Sequence, residues 1–210
     1  MYFVRTPFLL KLFYNRVIWE VPRKEKSIYL TFDDGPDEIA TPALLQLLDK
    51  FNAKATFFCT GKKAKKYPDI VKNILTQGHS IGNHGFEHKK SHFISNADMM
   101  ADVEKCSEFV NSDLYRPPYG RINPLQIREI RKKYKIVLWT LMPGDFDTRV
   151  SKELLLKRSI RYTQNGTILV FHDTQKTIEK LMFVLPEFLS YFAAQGYNFQ
   201  KLSIRDIDKK

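Results

Sequence analysis

The chain has 210 residues, 43% apolar and 27% charged, and its 34 Lys and Arg against 23 Asp and Glu give a formal net charge of +11. This is the length and composition of one globular domain with a sizeable core, and it excludes a disordered or fibrous chain. The basic residues sit in helix-like runs such as "KKAKK" (62–66) and "RKKYK" (131–135), with no zinc finger, RNA-recognition signature or basic arm. No nucleic-acid partner is therefore expected, and the charge favours anionic surroundings such as an acidic wall polymer or an anionic membrane face.

Residues 1–22 are apolar but broken by Arg5, Lys11, Arg16 and Glu20. No charge-free run is long enough to span a bilayer, and no basic-then-apolar layout ends in a small-residue cleavage site. The favoured reading is an N-terminal segment over 1–26 packed on the domain. The second is an amphipathic helix lying on a membrane. With no signal peptide legible, the default location is cytoplasmic, with envelope association as the alternative.

From residue 27 onward, strands are predicted at 27–33, 55–60, 79–82, 114–117, 135–141, 167–172 and 198–203. Helices are predicted at 41–51, 63–77, 96–111, 123–133, 151–163 and 176–195. Alternation of this kind predicts a parallel α/β sheet or barrel of about seven βα units, as one domain over 27–210 and as a monomer. Cys59, in "ATFFCTG", reads as core, and two cysteines cannot make a disulfide framework.

In such folds chemistry sits at the C-terminal ends of strands. The first strand ends in "YLTFDDGPDE", with Asp33 beside Asp34. Adjacent carboxylates oppose joint ionisation unless something compensates one of them. The third strand leads to "GHSIGNHGFEH", with His84 and His88. Arg116 follows the fourth, Asp145 the fifth and His172 the sixth. Two histidines and one aspartate form a three-ligand catalytic zinc set with an open position. The same set binds Fe(II) in oxygenases, whose all-β scaffolds the alternation opposes. The second aspartate is then free to act as a base on bound water. His92 continues the spacing but is left out, because Gly82 and Gly85 argue for a loop. His79 reads as a hydrogen-bonded structural histidine.

These motifs, in this order, resemble the polysaccharide deacetylases of the NodB-homology type, carbohydrate esterase family 4, over about residues 27–203. The resemblance implies a distorted (β/α) barrel and a metal-dependent hydrolase that removes acetyl groups from N-acetylated sugars of a peptidoglycan- or chitin-like glycan. On "TFDDGP" it makes Asp33 the base and Asp34 a metal ligand. On "HSIGNHGFEH" it makes His84 and His88 the other ligands of one divalent ion, zinc first, with Co2+, Ni2+ or Mn2+ as alternatives. On "RPPYG" it gives Arg116 a base-positioning or groove role and the Tyr119 N–H an oxyanion role, with Pro118 beside the substrate. On "ILVFHD" it makes His172 the general acid and places Leu169 in the acetyl-methyl pocket. Trp139 is expected in the groove, and Asp145 is expected to tune the acid. The fourth motif departs from the family: Met142 replaces an aspartate and Phe146 a tryptophan. The rival readings are a non-catalytic glycan-binding module and a same-fold hydrolase of a non-sugar amide or an O-acetyl ester.

Overall fold

The structure, a computed structural model, describes residues 2–90 and 94–207. His92 lies outside the described residues. The chain begins with a short helix, α1 (Phe8–Phe13), then alternates: β1 (Ser27–Asp33), α2 (Ala40–Lys50), β2 (Ala55–Cys59), α3 (Gly61–Lys66), α4 (Pro68–Thr76), β3 (Ser80–Asn83), α5 (Asn96–Ser107), β4 (Leu114–Tyr115), α6 (Pro124–Ile130), β5 (Lys135–Ile136), α7 (Lys152–Tyr162), β6 (Ile168–His172), α8 (Ile178–Ala194), β7 (Asn198–Phe199) and α9 (Ile204–Ile207). All ladders are parallel, in the order β5-β4-β3-β2-β1-β6, with β7 on the start of β1.

The sheet curls on itself. The segment after β5 pairs with β4 at one end, where Val137 N–H donates to Tyr115 O at 2.8 Å. At its other end Leu141 bridges Leu169 of β6. This is the distorted barrel that the family resemblance implies, and it agrees with the alternation of strands and helices. Strand 135–141 is a ladder only over its first two residues, and the N-terminal segment runs along its opposite edge: Ile18 bridges Val137 and Arg5 bridges Leu141.

Local chemistry sets the helix ends. The expected helix 63–77 is two helices, because a residue before proline is pushed out of the helical region. Tyr67, before Pro68, has φ −125 and ψ 59. Ser95, Asn123 and Ser151 cap α5, α6 and α7 by accepting backbone N–H bonds.

Alternation along β1 divides the core. Ile28, Leu30 and Phe32 face the helices, packing with Leu44, Phe171, Val184 and Phe188. Tyr29 faces inward with Phe58, Val137 and Ile168. Thr31 and Asp33 share that inner face, so the alternation that builds the core also aims Asp33 at the barrel mouth. At the other end, His79 accepts the Ala55 N–H at 3.1 Å. Burial, helped by Lys54, lowers its pKa to about 4, so it is a neutral structural histidine. Cys59 and Cys106 are free and buried, and burial pushes both thiols up.

Candidate active site

The ends of the strands are level. Asp33 lies in register with His172 of β6 and with Phe58 of β2. Arg116, just after β4, is 0% exposed. Its Nη1 donates to Asp33 Oδ1 at 2.6 Å and to Thr31 Oγ1 at 2.8 Å. Its Nε and Nη2 donate to the carbonyls of Val137 and Leu138 at 3.2 and 3.1 Å. A buried charge is tolerated when it is paired and its donors are satisfied, and this one is. The guanidinium thus fixes Oδ1 of Asp33.

Asp34, next in the chain, turns the other way. It has φ +75, and His88 and Tyr119 also adopt left-handed φ of +55 and +59. Such conformations cost about 1–3 kcal/mol each and persist where surrounding structure enforces them, often at functional sites. His84 Nδ1–H donates to the Arg116 carbonyl at 2.8 Å. Its Nε2 lies 3.4 Å from Asp34 Oδ1. His88 Nε2 lies 3.0 Å from the same oxygen. Asp34 Oδ1 is nevertheless buried without a hydrogen bond. Burial would raise the Asp34 pKa, but the hydrogen-bond donors and positive charge that His84 and His88 supply when protonated hold it well below the usual carboxylate range. One ligand atom from each of the three residues lies within 4.8 Å of the other two. Three ligand atoms this close together, one of them a buried carboxylate oxygen without a hydrogen bond, fit a divalent cation, and the Nδ1–H bond to a carbonyl is the usual way a metal-binding imidazole is oriented. Asn83 and Asp102 hold the His84 loop: Asn83 accepts the Gly85 N–H, and Asp102 those of Phe86 and Glu87.

His172 is gripped twice by Asp145, itself 1% exposed. The ring Nδ1 lies 3.0 Å from Oδ1, and the backbone N–H donates to Oδ2 at 2.7 Å. Burial works against a charged imidazole, but Asp145 outweighs it and the pKa rises to about 9. Asp33, Asp34, His84, His88 and His172 all line one cavity of about 560 Å³. Its other wall is aromatic, with Tyr2, Tyr119, Trp139 and Phe146. A second cavity of about 550 Å³ shares Asp34, His88, Phe146 and His172, and is edged by Lys62, Lys63 and Lys176.

The sequence profile of the polysaccharide deacetylase family matches residues 20–138. The chain belongs to the polysaccharide deacetylase family. It is 34% identical to a peptidoglycan-N-acetylglucosamine deacetylase of Bacillus cereus, over 89% of this chain and 91% of that one. It is 32% identical to a chitooligosaccharide deacetylase of Azorhizobium caulinodans, over 73% of this chain and 76% of that one. Other relatives are longer: the chain spans 41% of the peptidoglycan-N-acetylmuramic acid deacetylase PdaC of Bacillus subtilis, at 29% identity over 90% of this chain. Among solved structures, a peptidoglycan N-acetylglucosamine deacetylase in complex with a hydroxamate-type benzamide superposes with a TM-score of 0.79 at 29% identity, covering 94% of this chain and 95% of that one.

Within this polysaccharide deacetylase, two expected substrate residues fall elsewhere. Leu169 is fully buried in the helix-facing core with Leu181 and Val184. Strand alternation puts it on the face opposite His172, so it does not line the cavity; Val170 shares the His172 face. Pro118 is buried and does not line the cavity. Arg116 is buried and does not line the cavity; its guanidinium meets Asp33, and its carbonyl meets His84.

Sequence reasoning missed Asp173, Gly35, Thr41 and Tyr2. Asp173 is 0% exposed, and Thr41 Oγ1–H donates to its Oδ2 at 2.6 Å. Burial lifts its pKa to about 7. A Cβ on Gly35 would fall 2.0 Å from Asp173 Oδ2, so the loop carrying Asp34 lies against this carboxyl only because residue 35 is glycine. The one signal was adjacency, since Asp173 directly follows His172.

Proposed function

We propose that this chain is a metal-dependent hydrolase that removes acetyl groups from N-acetylated sugars of a glycan, peptidoglycan first. The observation that carries this reading is a base, Asp33, and a protonated acid, His172, flanking the Asp34–His84–His88 set in one cavity. When bound, a divalent cation, taken here as zinc, supplies Lewis acidity toward an acetyl carbonyl and toward water. The side chains do the rest. Asp33, with Oδ1 tied to Arg116, accepts the proton of the attacking water on Oδ2. The Tyr119 N–H, which makes no hydrogen bond among the described residues, donates to the oxygen where negative charge develops. His172, held by Asp145 through Nδ1, delivers its proton to the nitrogen as the C–N bond breaks. Acetate and a free amine result.

Two features support a polymeric and anionic substrate. The two cavities meet at the shared residues, so a groove runs past both sides of the reacting centre. Lys62, Lys63 and Lys176 border one arm, and they suit the carboxylates that peptidoglycan has and chitin lacks. The test is acetate release, read by mass spectrometry, across peptidoglycan, chitin oligosaccharides and O-acetylated glycans with zinc added. Release from O-acetylated glycans alone would overturn the amide reading.

We further propose that the chain acts as a monomer at the cell envelope, touching an anionic membrane surface through α1. No helix among the described residues is long and apolar enough to cross a membrane. None of the residues of α1 is buried, and Phe8 and Phe13 are 75% and 79% exposed. Flotation with anionic but not neutral vesicles is expected. Equal behaviour with both, or a dimer in analytical ultracentrifugation, would contradict this.

A further inference from the structure

Residues 4–6 run antiparallel along the segment that carries Trp139 and Met142. Met142 N–H donates to Val4 O at 2.9 Å, Thr6 N–H donates to Thr140 O at 2.9 Å, and Thr6 Oγ1–H donates to Trp139 O at 2.7 Å. This lacing delivers Tyr2 to the mouth of the barrel. There its ring meets Phe146 edge-on, with centroids 5.0 Å apart and planes at 60°. Phe146 in turn stands edge-on to His172 at 5.2 Å. The Tyr2 hydroxyl accepts from Arg158 Nη1 at 3.4 Å, and the same nitrogen donates to Pro143 O at 3.1 Å. Gly144 makes room. It has φ +101, and a Cβ there would lie 1.9 Å from the Tyr2 oxygen. Tyr2 is therefore fitted into the wall by backbone pairing, by two ring contacts in series and by a glycine.

Resting on the deacetylase reading, we propose that Tyr2 is a substrate-binding residue, and that the N-terminal segment thereby shapes glycan recognition. Tyr2 lines the same cavity as the metal-ligand set and faces a wall shared with Tyr119, Trp139 and Phe146. Aromatic rings of this kind pack on the C–H face of a pyranose, and a few fixed aromatics in a concave site set orientation and selectivity. Tyr2 touches neither Asp33 nor the ligand set directly, and its link to His172 runs through Phe146. Its contribution belongs to binding of a sugar next to the acetylated one, not to the bond-breaking step.

The test uses the full chain loaded with zinc and two substrates: an N-acetylglucosamine oligosaccharide and a small aryl acetate that has no second sugar to place on Tyr2. Tyr2→Ala is expected to raise KM for the oligosaccharide by roughly 10-fold with little change in kcat, the pattern of lost uniform binding by one aromatic contact. Its kcat/KM on the aryl acetate should stay at the wild-type value, which also reports that the site remains folded. Tyr2→Phe keeps the ring and loses only the hydroxyl, so it should restore the oligosaccharide KM. An unchanged KM in Tyr2→Ala overturns the proposal. So does an equal loss on both substrates, which would make Tyr2 structural. Should Tyr2→Ala not fold, Tyr2→Leu, which fills the space without an aromatic face, decides in the same way. Wild-type enzyme that releases no acetate from any glycan would overturn the deacetylase reading itself, a result distinct from an active wild type indifferent to residue 2.

Discussion

At the residue scale the site depends on how two aspartates, side by side in the chain, come to do different work. Asp33 finishes a strand and points inward onto Arg116, whereas Asp34 enters a left-handed conformation and points to two imidazoles. Asp33→Asn is expected to keep the fold and the bound zinc but to lower kcat by roughly 10²- to 10⁴-fold, the usual contribution of a positioned base. Metal analysis beside steady-state kinetics checks this, and near-normal turnover would mean that another group takes the proton. In the proposed mechanism Asp145 sets the acid. His172 must carry a proton to serve, and its pKa stands at about 9, above its ordinary value. Activity should hold through neutral pH and fall as pH rises through that value. Asp145→Asn removes the charge that raises it, so the alkaline limb should move to lower pH with metal content unchanged. A limb that stays in place would separate Asp145 from the acid. These residues were legible because each is a polar group at the end of an apolar run. The register of "ILVFHD" was not: a strand buried on both faces gives no alternation to tell inward from outward, and so Leu169 was assigned to the wrong face.

At the element scale, the alternation of strands and helices is readable because parallel strands need crossover helices. Boundaries were less readable where neighbours compete. The end of strand 135–141 is held by residues 4–6 and 18 rather than by a ladder, a pairing across more than a hundred residues that no local pattern announces. Asp173 was silent for a similar reason. Its partners, Gly35 and Thr41, come from the opposite end of the chain. Gly35→Ala would drive a methyl into Asp173 at 2.0 Å. A destabilisation of about 1–3 kcal/mol is expected from such overpacking, read by chemical denaturation, together with loss of zinc affinity as the Asp34 loop shifts. A variant as stable as the wild type would show that the loop can move away without cost.

For the whole molecule, the barrel holds the rim and the rim holds the chemistry. Strand ends in register bring Asp33 and His172 side by side, and Asn83 and Tyr115 lead into the loops of His84 and Arg116. The N-terminal segment bridges Val137 and Leu141 and supplies Tyr2 to the cavity. In the proposed function, the converging ligand atoms of Asp34, His84 and His88 hold a cation on which deacetylation depends. The decisive measurement is acetate release from peptidoglycan after chelation and dialysis, with and without zinc added back. The expected result is loss of activity in the stripped enzyme, restoration by about one zinc per chain, and no restoration in His84→Ala or His88→Ala. Full activity in the stripped enzyme, or in either histidine variant, would contradict it.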